Sequence, residues 1–224
     1  MALFAQMLKT TLLGWLVLGA VIFIPAGTFA YWRGWIFIVV FSASTTIIGL
    51  YLALKDPALL QRRMKAGPAA ETRPVQKAII SVAFVSVIVL VVVSVLDYRF
   101  GRSHVPAWLS VLGNGLVALG LMIDLRVFRE NSYGASTIEK MEGQRVISTG
   151  PYAVVRHPMY VGVAIMLLGV PLALGSYWGL LFMLVNLPIL MLRIFDEEKL
   201  LRSELEGYDA YVQNVRHRLV PGVW

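Results

Sequence analysis

The chain has 224 residues, 58% of them hydrophobic and 15% charged, with a formal net charge of +7 and no cysteine. A water-soluble domain carries about 25% charged and about 45–50% apolar residues, so an ordinary soluble domain is excluded; the missing cysteine also excludes disulfide scaffolds and thiol-ligated zinc or iron–sulfur sites. Long continuous stretches without Asp, Glu, Lys or Arg exclude an outer-membrane barrel, whose strands alternate apolar and polar residues.

The first such stretch, 10–32, lies between Lys9 and Arg33. A helix needs ~20 apolar residues to cross ~30 Å of hydrocarbon. Thr28-Phe29-Ala30 is similar to a signal-peptide cleavage site, but the run ahead of it is too long for a signal core, so an uncleaved span is expected. A second stretch, 34–54, follows, with Tyr31, Trp32 and Trp35 expected in an aromatic belt at the interface. The connector 55–77 carries Asp56-Pro57 and Gly67-Pro68 and reads as polar and partly helical. Its arginines are expected to meet lipid headgroups, and Glu71 is expected to lie outside any site. The stretch 79–96 is apolar on every face, as a scaffold span should be. The fourth, 103–123, contains Gly113-Asn114-Gly115 and Gly120. Their spacing is wrong for a dinucleotide-binding turn and no strand precedes them; small residues that let membrane helices approach are the better account.

From Asp124 to His157 the chain is polar, and it re-enters the membrane through Gly150-Pro151-Tyr152 and Arg156-His157-Pro158-Met159-Tyr160 with Gly162. Such polar density at a membrane boundary is costly unless the groups bind one another or a ligand. Pro158 suits a first helical turn. His157 and Tyr160, three apart, share a face, and free N–H groups at that helix start could hold a carboxylate. Taken singly, Arg156 and His157 read as side chains reaching for the interface; together the cluster reads as a site. The last uncharged run, between Arg156 and Arg193, is too long for one crossing. Gly169-Val170-Pro171 and Gly175 to Gly179 predict two helices joined as a hairpin, about 158–173 and 177–194. At its exit, Arg193 and Glu197 are four apart on one helix and can pair or hold two parts of one ligand; Glu198 and Arg202 repeat the spacing. The adjacent Asp196, Glu197 and Glu198 repel one another and call for cationic partners. The tail from Glu206 to Pro221, aromatic and amphipathic, is expected to pack back as a lid.

The fold class is therefore all-α: a polytopic helical membrane protein with about six membrane segments, including the C-terminal hairpin, cytoplasmic cofactor-binding loops and a C-terminal helix. With the N-terminus inside, 17 basic residues, Lys140 among them, fall on the cytoplasmic side and only Arg33, Arg99 and Arg102 outside, which the positive-inside rule favours. Localisation to an inner, cytoplasmic membrane with both termini cytoplasmic is expected. The basic excess suits anionic lipid, and no nucleic-acid partner is expected.

The ordered blocks Gly150-Pro151-Tyr152, Arg156-His157-Pro158 with Tyr160 and Gly162, Arg193 and Glu197-Glu198, closed by Tyr208, Tyr211 and Pro221, resemble the isoprenylcysteine carboxyl methyltransferase and phospholipid methyltransferase family of membrane enzymes. The resemblance covers roughly 112–224 and divides the chain into an N-terminal transmembrane scaffold, 1–111, and a methyltransferase core, 112–224. It implies methyl transfer from S-adenosylmethionine, with no metal, to a lipophilic acceptor drawn from the bilayer, and membrane lipids as partners. It implies cofactor contacts at Gln144, Arg145, Val146, Ile147, Tyr152, His157, Pro158, Met159, Tyr160 and Glu197, with Arg193 beside the acceptor and Arg193 and Glu197 as the catalytic pair. Methyl transfer from a sulfonium is an in-line displacement that needs alignment of donor and acceptor. Arg193 could orient a carboxylate acceptor by paired hydrogen bonds. For an amine, Glu197 or Glu198 could take the proton. Tyr152 or Tyr160 could face the sulfonium. A prenylated cysteine, a phospholipid amine, a quinone-like lipid and a small thiol all remain open as acceptors. Two rivals are an NADPH-dependent sterol-type reductase, for which this chain is short, and a non-catalytic membrane scaffold or channel, which should carry polar residues inside its spans.

Overall fold

A computed structural model describes residues 2–138 and 141–224; Lys140, counted above among the basic residues, lies outside them. The described residues form eight α-helices and no strand: α1 (Ala2–Ala26), α2 (Trp32–Lys55), α3 (Pro57–Met64), α4 (Pro74–Arg99), α5 (Ala107–Glu130), α6 (Pro158–Ala173), α7 (Trp178–Glu204) and α8 (Tyr208–Asn214), with a 3-10 turn at Gly150–Ala153. Five of them, α1, α2, α4, α5 and α7, are long and apolar enough to cross a bilayer. The protein is an integral, multi-pass membrane protein.

The sixth segment, α6, has 16 residues and at 1.5 Å per residue reaches only about 24 Å. It starts where predicted, with Pro158 at the first position. The helix outruns Gly169-Val170-Pro171 and ends at Ala173, the predicted bound, and the chain turns at Gly175, whose φ is +79°. Gly169 serves packing instead. A Cβ there would lie 2.5 Å from the Gly113 carbonyl oxygen, and one at Gly120 would lie 2.4 Å from that of Gly162. Two glycine pairs thus let α5 and α6 touch backbone to backbone, as small residues allow in membrane helix pairs. The partner helix α7 also outruns its expected end near 194 and continues to Glu204, so Arg193, Asp196, Glu197, Glu198 and Arg202 all stand on one rod.

Tyr31 is not part of an aromatic belt. It is fully buried, donates its hydroxyl hydrogen to the Leu174 carbonyl and stacks on Tyr98 at 4.0 Å between ring centroids. Carbonyls at a helix end lack intrahelical partners, and this phenol supplies one at the α6–α7 turn. Trp32 and Trp35 stay exposed, as belt residues do.

The connector is structural in a way its composition concealed. Asp56 caps α3 by accepting from the Leu59 N–H at 2.9 Å, with Pro57 next to it at the helix start. Leu59 and Leu60 then pack against Val127 and Phe128 at the end of α5. The arginines do not reach outward to lipid headgroups. Arg62 donates to the Ser132 carbonyl at 2.6 Å; Arg63 lies over the Phe128 ring at 4.1 Å and donates to the Gly134 carbonyl; Arg73 binds Asp196. Each therefore braces the loop after α5 or the exit of α7. Burial lowers the Arg63 pKa, with Asp124 as the nearest opposing charge.

Candidate functional site

The loop 131–157 leaves α5, folds over the end of the bundle and returns into α6. Tyr133 donates its backbone N–H to Asn131 Oδ1 and its hydroxyl to the Gly143 carbonyl, and Gln144 Oε1 accepts from the Met141 N–H. The 3-10 turn at Gly150–Ala153 presents Tyr152, whose hydroxyl accepts from Asn131 Nδ2 at 2.8 Å. Burial pushes the Tyr152 pKa up to about 12, so the phenol is neutral at any physiological pH.

Loop, α6 start, α7 exit and α8 enclose one cavity whose empty space, open mouth included, is about 920 Å³. Gln144, Arg145, Val146, Ile147, Tyr152, His157, Pro158, Met159, Tyr160, Arg193 and Glu197 all line it. Two polar patches far apart in the chain thus meet at one end of the bundle. Among residues the sequence reading left off its site, Asn131, Tyr208 and Tyr211 also face the cavity.

Arg193 and Glu197 do not pair directly. The Tyr160 hydroxyl stands between them, donating to Glu197 Oε2 at 2.7 Å and accepting from Arg193 Nε at 3.2 Å. Arg193 Nη1 donates to Glu71 Oε1 at 3.1 Å and to Gln76 Oε1 at 2.9 Å, and Nη2 to the Ser136 carbonyl at 2.9 Å. Among the described residues, four of the five guanidinium hydrogens are therefore committed, which leaves one on Nη2. The expected two-point grip on an acceptor carboxylate is not on offer while those bonds hold. Glu71 lies outside the cavity lining, as expected, but it is buried and bonded to Arg193. One of only two acids in a connector otherwise rich in Arg and Lys, the other being the helix cap Asp56, was the available signal for a buried cationic partner.

The three carboxylates at the α7 exit find the partners their mutual repulsion demands. Asp196 is gripped by Arg73 at 2.6 and 2.9 Å and by the Gln76 amide. Glu198 is 4% exposed and accepts from Arg156 Nε at 2.8 Å and from Arg218 Nε and Nη2 at 3.0 and 2.9 Å; His157 Nε2 lies 3.1 Å from it. Arg202 pairs with Asp209 rather than Glu198.

Arg156 also donates to the carbonyls of Val215 and Arg216. The backbone N–H groups of Arg156 and His157 bond the His217 and Arg218 carbonyls, and the Tyr160 N–H bonds that of His157. The backbone just ahead of α6 is thus tied to the tail. The tail closes over the loop as expected: Tyr211 donates its hydroxyl to the Tyr152 carbonyl at 2.7 Å, and Tyr208, Tyr211 and Val215 pack against Val146 and Tyr152. Burial raises the pKa of both tail tyrosines.

The family model for phospholipid methyltransferases matches residues 108–206, which run from the start of α5 past the end of α7. No curated protein matches the chain.

Proposed function

We propose that this membrane protein, whose residues 108–206 belong to the phospholipid methyltransferase family, binds S-adenosylmethionine in the cavity at the α7 exit and passes its methyl group to a lipophilic acceptor. The observation that carries the reading is that Gln144 to Ile147, Tyr152, His157 to Tyr160, Arg193 and Glu197 line one cavity. The lining suits a cationic nucleoside: a half-buried carboxylate, Glu197, stands among the rings of Tyr152, Tyr160, Tyr208 and Tyr211, and aromatic faces attract cations.

When bound, S-adenosylmethionine supplies an electrophilic methyl group on a sulfonium sulfur. The protein's part is alignment and exclusion of water. Tyr152 and Tyr211, latched to each other, roof the cavity, while Tyr160 fixes the spacing of Arg193 and Glu197. An amine, thiol or hydroxyl acceptor must give up a proton as its lone pair takes the methyl. Glu197 is the carboxylate placed to take it, because Glu198 has both oxygens held by Arg156 and Arg218. The site lies at the end of the bundle that carries the basic residues, and we assign that end to the cytoplasm. The acceptor then comes from the bilayer and the nucleoside from water.

Calorimetry on purified protein tests the reading: heat is expected with S-adenosylmethionine and none with NADPH. The Glu197→Ala variant is expected to lose at least about tenfold in affinity, whereas Arg193→Ala keeps affinity within about threefold and loses turnover. An unaltered isotherm for Glu197→Ala removes that residue from the site, and heat with NADPH alone replaces methyl transfer by reduction. Membranes incubated with labelled methyl donor identify the acceptor.

A further inference from the structure

Arg193 lines the cavity, and two of the four groups that restrain it, Glu71 and Gln76, come from outside the region the family model matches. Glu71 is 6% exposed and uses both oxygens, one on Arg193 Nη1 at 3.1 Å and the other on the Ile138 N–H at 3.3 Å. Gln76 is fully buried; its carbonyl oxygen accepts from the same Nη1 at 2.9 Å, and its amide donates to Asp196. Asp196 in turn is held by Arg73. All three connector residues, Glu71, Arg73 and Gln76, precede or begin α4, and none lines the cavity.

We propose that Glu71, with Gln76, is the positioning residue for Arg193: together they take both Nη1 hydrogens, so the guanidinium presents one Nη2 hydrogen and a compensated charge to the acceptor. The inference rests on reading the cavity as a methyl-transfer site. A guanidinium is a rigid fork, so fixing Nη1 and Nε fixes the direction of the remaining donor. The Ile138 contact links this anchor to the loop that bears Ser136, which holds the other nitrogen. The connector thereby sets what the acceptor meets. It offers a single hydrogen bond, which does not match the two oxygens of a carboxylate.

The test uses full-length protein with Glu71→Gln, which keeps the side chain's volume but removes its charge and one acceptor oxygen. Turnover of membranes with labelled methyl donor is expected to fall at least about tenfold, while the dissociation constant for S-adenosylmethionine stays within about threefold. A second readout does not depend on activity. Phenylglyoxal modification of Arg193, followed by peptide mass spectrometry, is expected to quicken at least about threefold once Nη1 is released. Gln76→Met, which removes the other Nη1 partner, is expected to give the same pattern and stands in if Glu71→Gln does not fold. Turnover kept within about twofold, affinity lost in step with turnover, or unchanged Arg193 reactivity each overturns the proposal. Wild-type protein that neither binds S-adenosylmethionine nor transfers methyl removes the parent reading, while the Arg193 reactivity still reports on the positioning.

Discussion

Glu197 and Glu198 are neighbours in the chain with unlike surroundings. Successive residues on an α-helix point about 100° apart, so one carboxylate faces the cavity while the other faces Arg156, His157 and Arg218. Removing one partner of a buried ion pair strands the others at a cost of about 3–5 kcal/mol. Glu198→Ala should therefore lower the unfolding temperature sharply, measured by differential scanning in detergent. If Glu198 instead took a substrate proton, the variant would keep its stability and lose only turnover. The need for cationic partners was legible from the charge run 196–198, but which cation met which acid was not. The arginines involved lie 42 residues upstream, 20 downstream and, for Asp196, 123 upstream. Nothing local in the sequence encodes pairings that distant.

The helices were easier to read than their contacts. Uncharged length locates a span because unpaired backbone and charge are both costly in hydrocarbon, and five long helices stand where those stretches lie. The α6–α7 turn falls beyond Ala173, as predicted, with Gly169 and Pro171 inside α6: the glycine is needed for contact with α5, and the proline falls in the last turn of the helix. Gly120→Ala separates packing from propensity. Its Cβ would meet the Gly162 carbonyl oxygen at 2.4 Å, whereas one at Gly115, in the same helix, meets nothing within 4 Å. Gly120→Ala is expected to destabilise by roughly 1–3 kcal/mol, and to weaken nucleoside binding because α6 carries His157 and Tyr160. Gly115→Ala should match or exceed wild-type stability, since alanine favours helix. Equal unfolding temperatures for the two variants would show that the α5–α6 contact does not limit stability.

Six segments return the chain to the end of the bundle from which it started, so the loop 131–157, the α7 exit and α8 share one end with the connector. The proposed orientation, which rests on the charge asymmetry, puts that end in the cytoplasm. The natural absence of cysteine makes the assignment simple to check: a membrane-impermeant maleimide applied to intact cells should label Arg102→Cys and spare Ser203→Cys, both exposed positions. The reverse pattern inverts the topology.

Class, the long apolar helices and the polar blocks of the cavity followed from the sequence alone, because hydrocarbon punishes every charge in a span and leaves a readable record. The tertiary structure alone decided that the connector bonds Arg193, that Tyr31 is a core residue and that, among the described residues, four of the five Arg193 hydrogens are taken. Those outcomes depend on which side chains meet across more than a hundred residues of chain, and a buried acid such as Glu71 looks like any other until its partner is beside it.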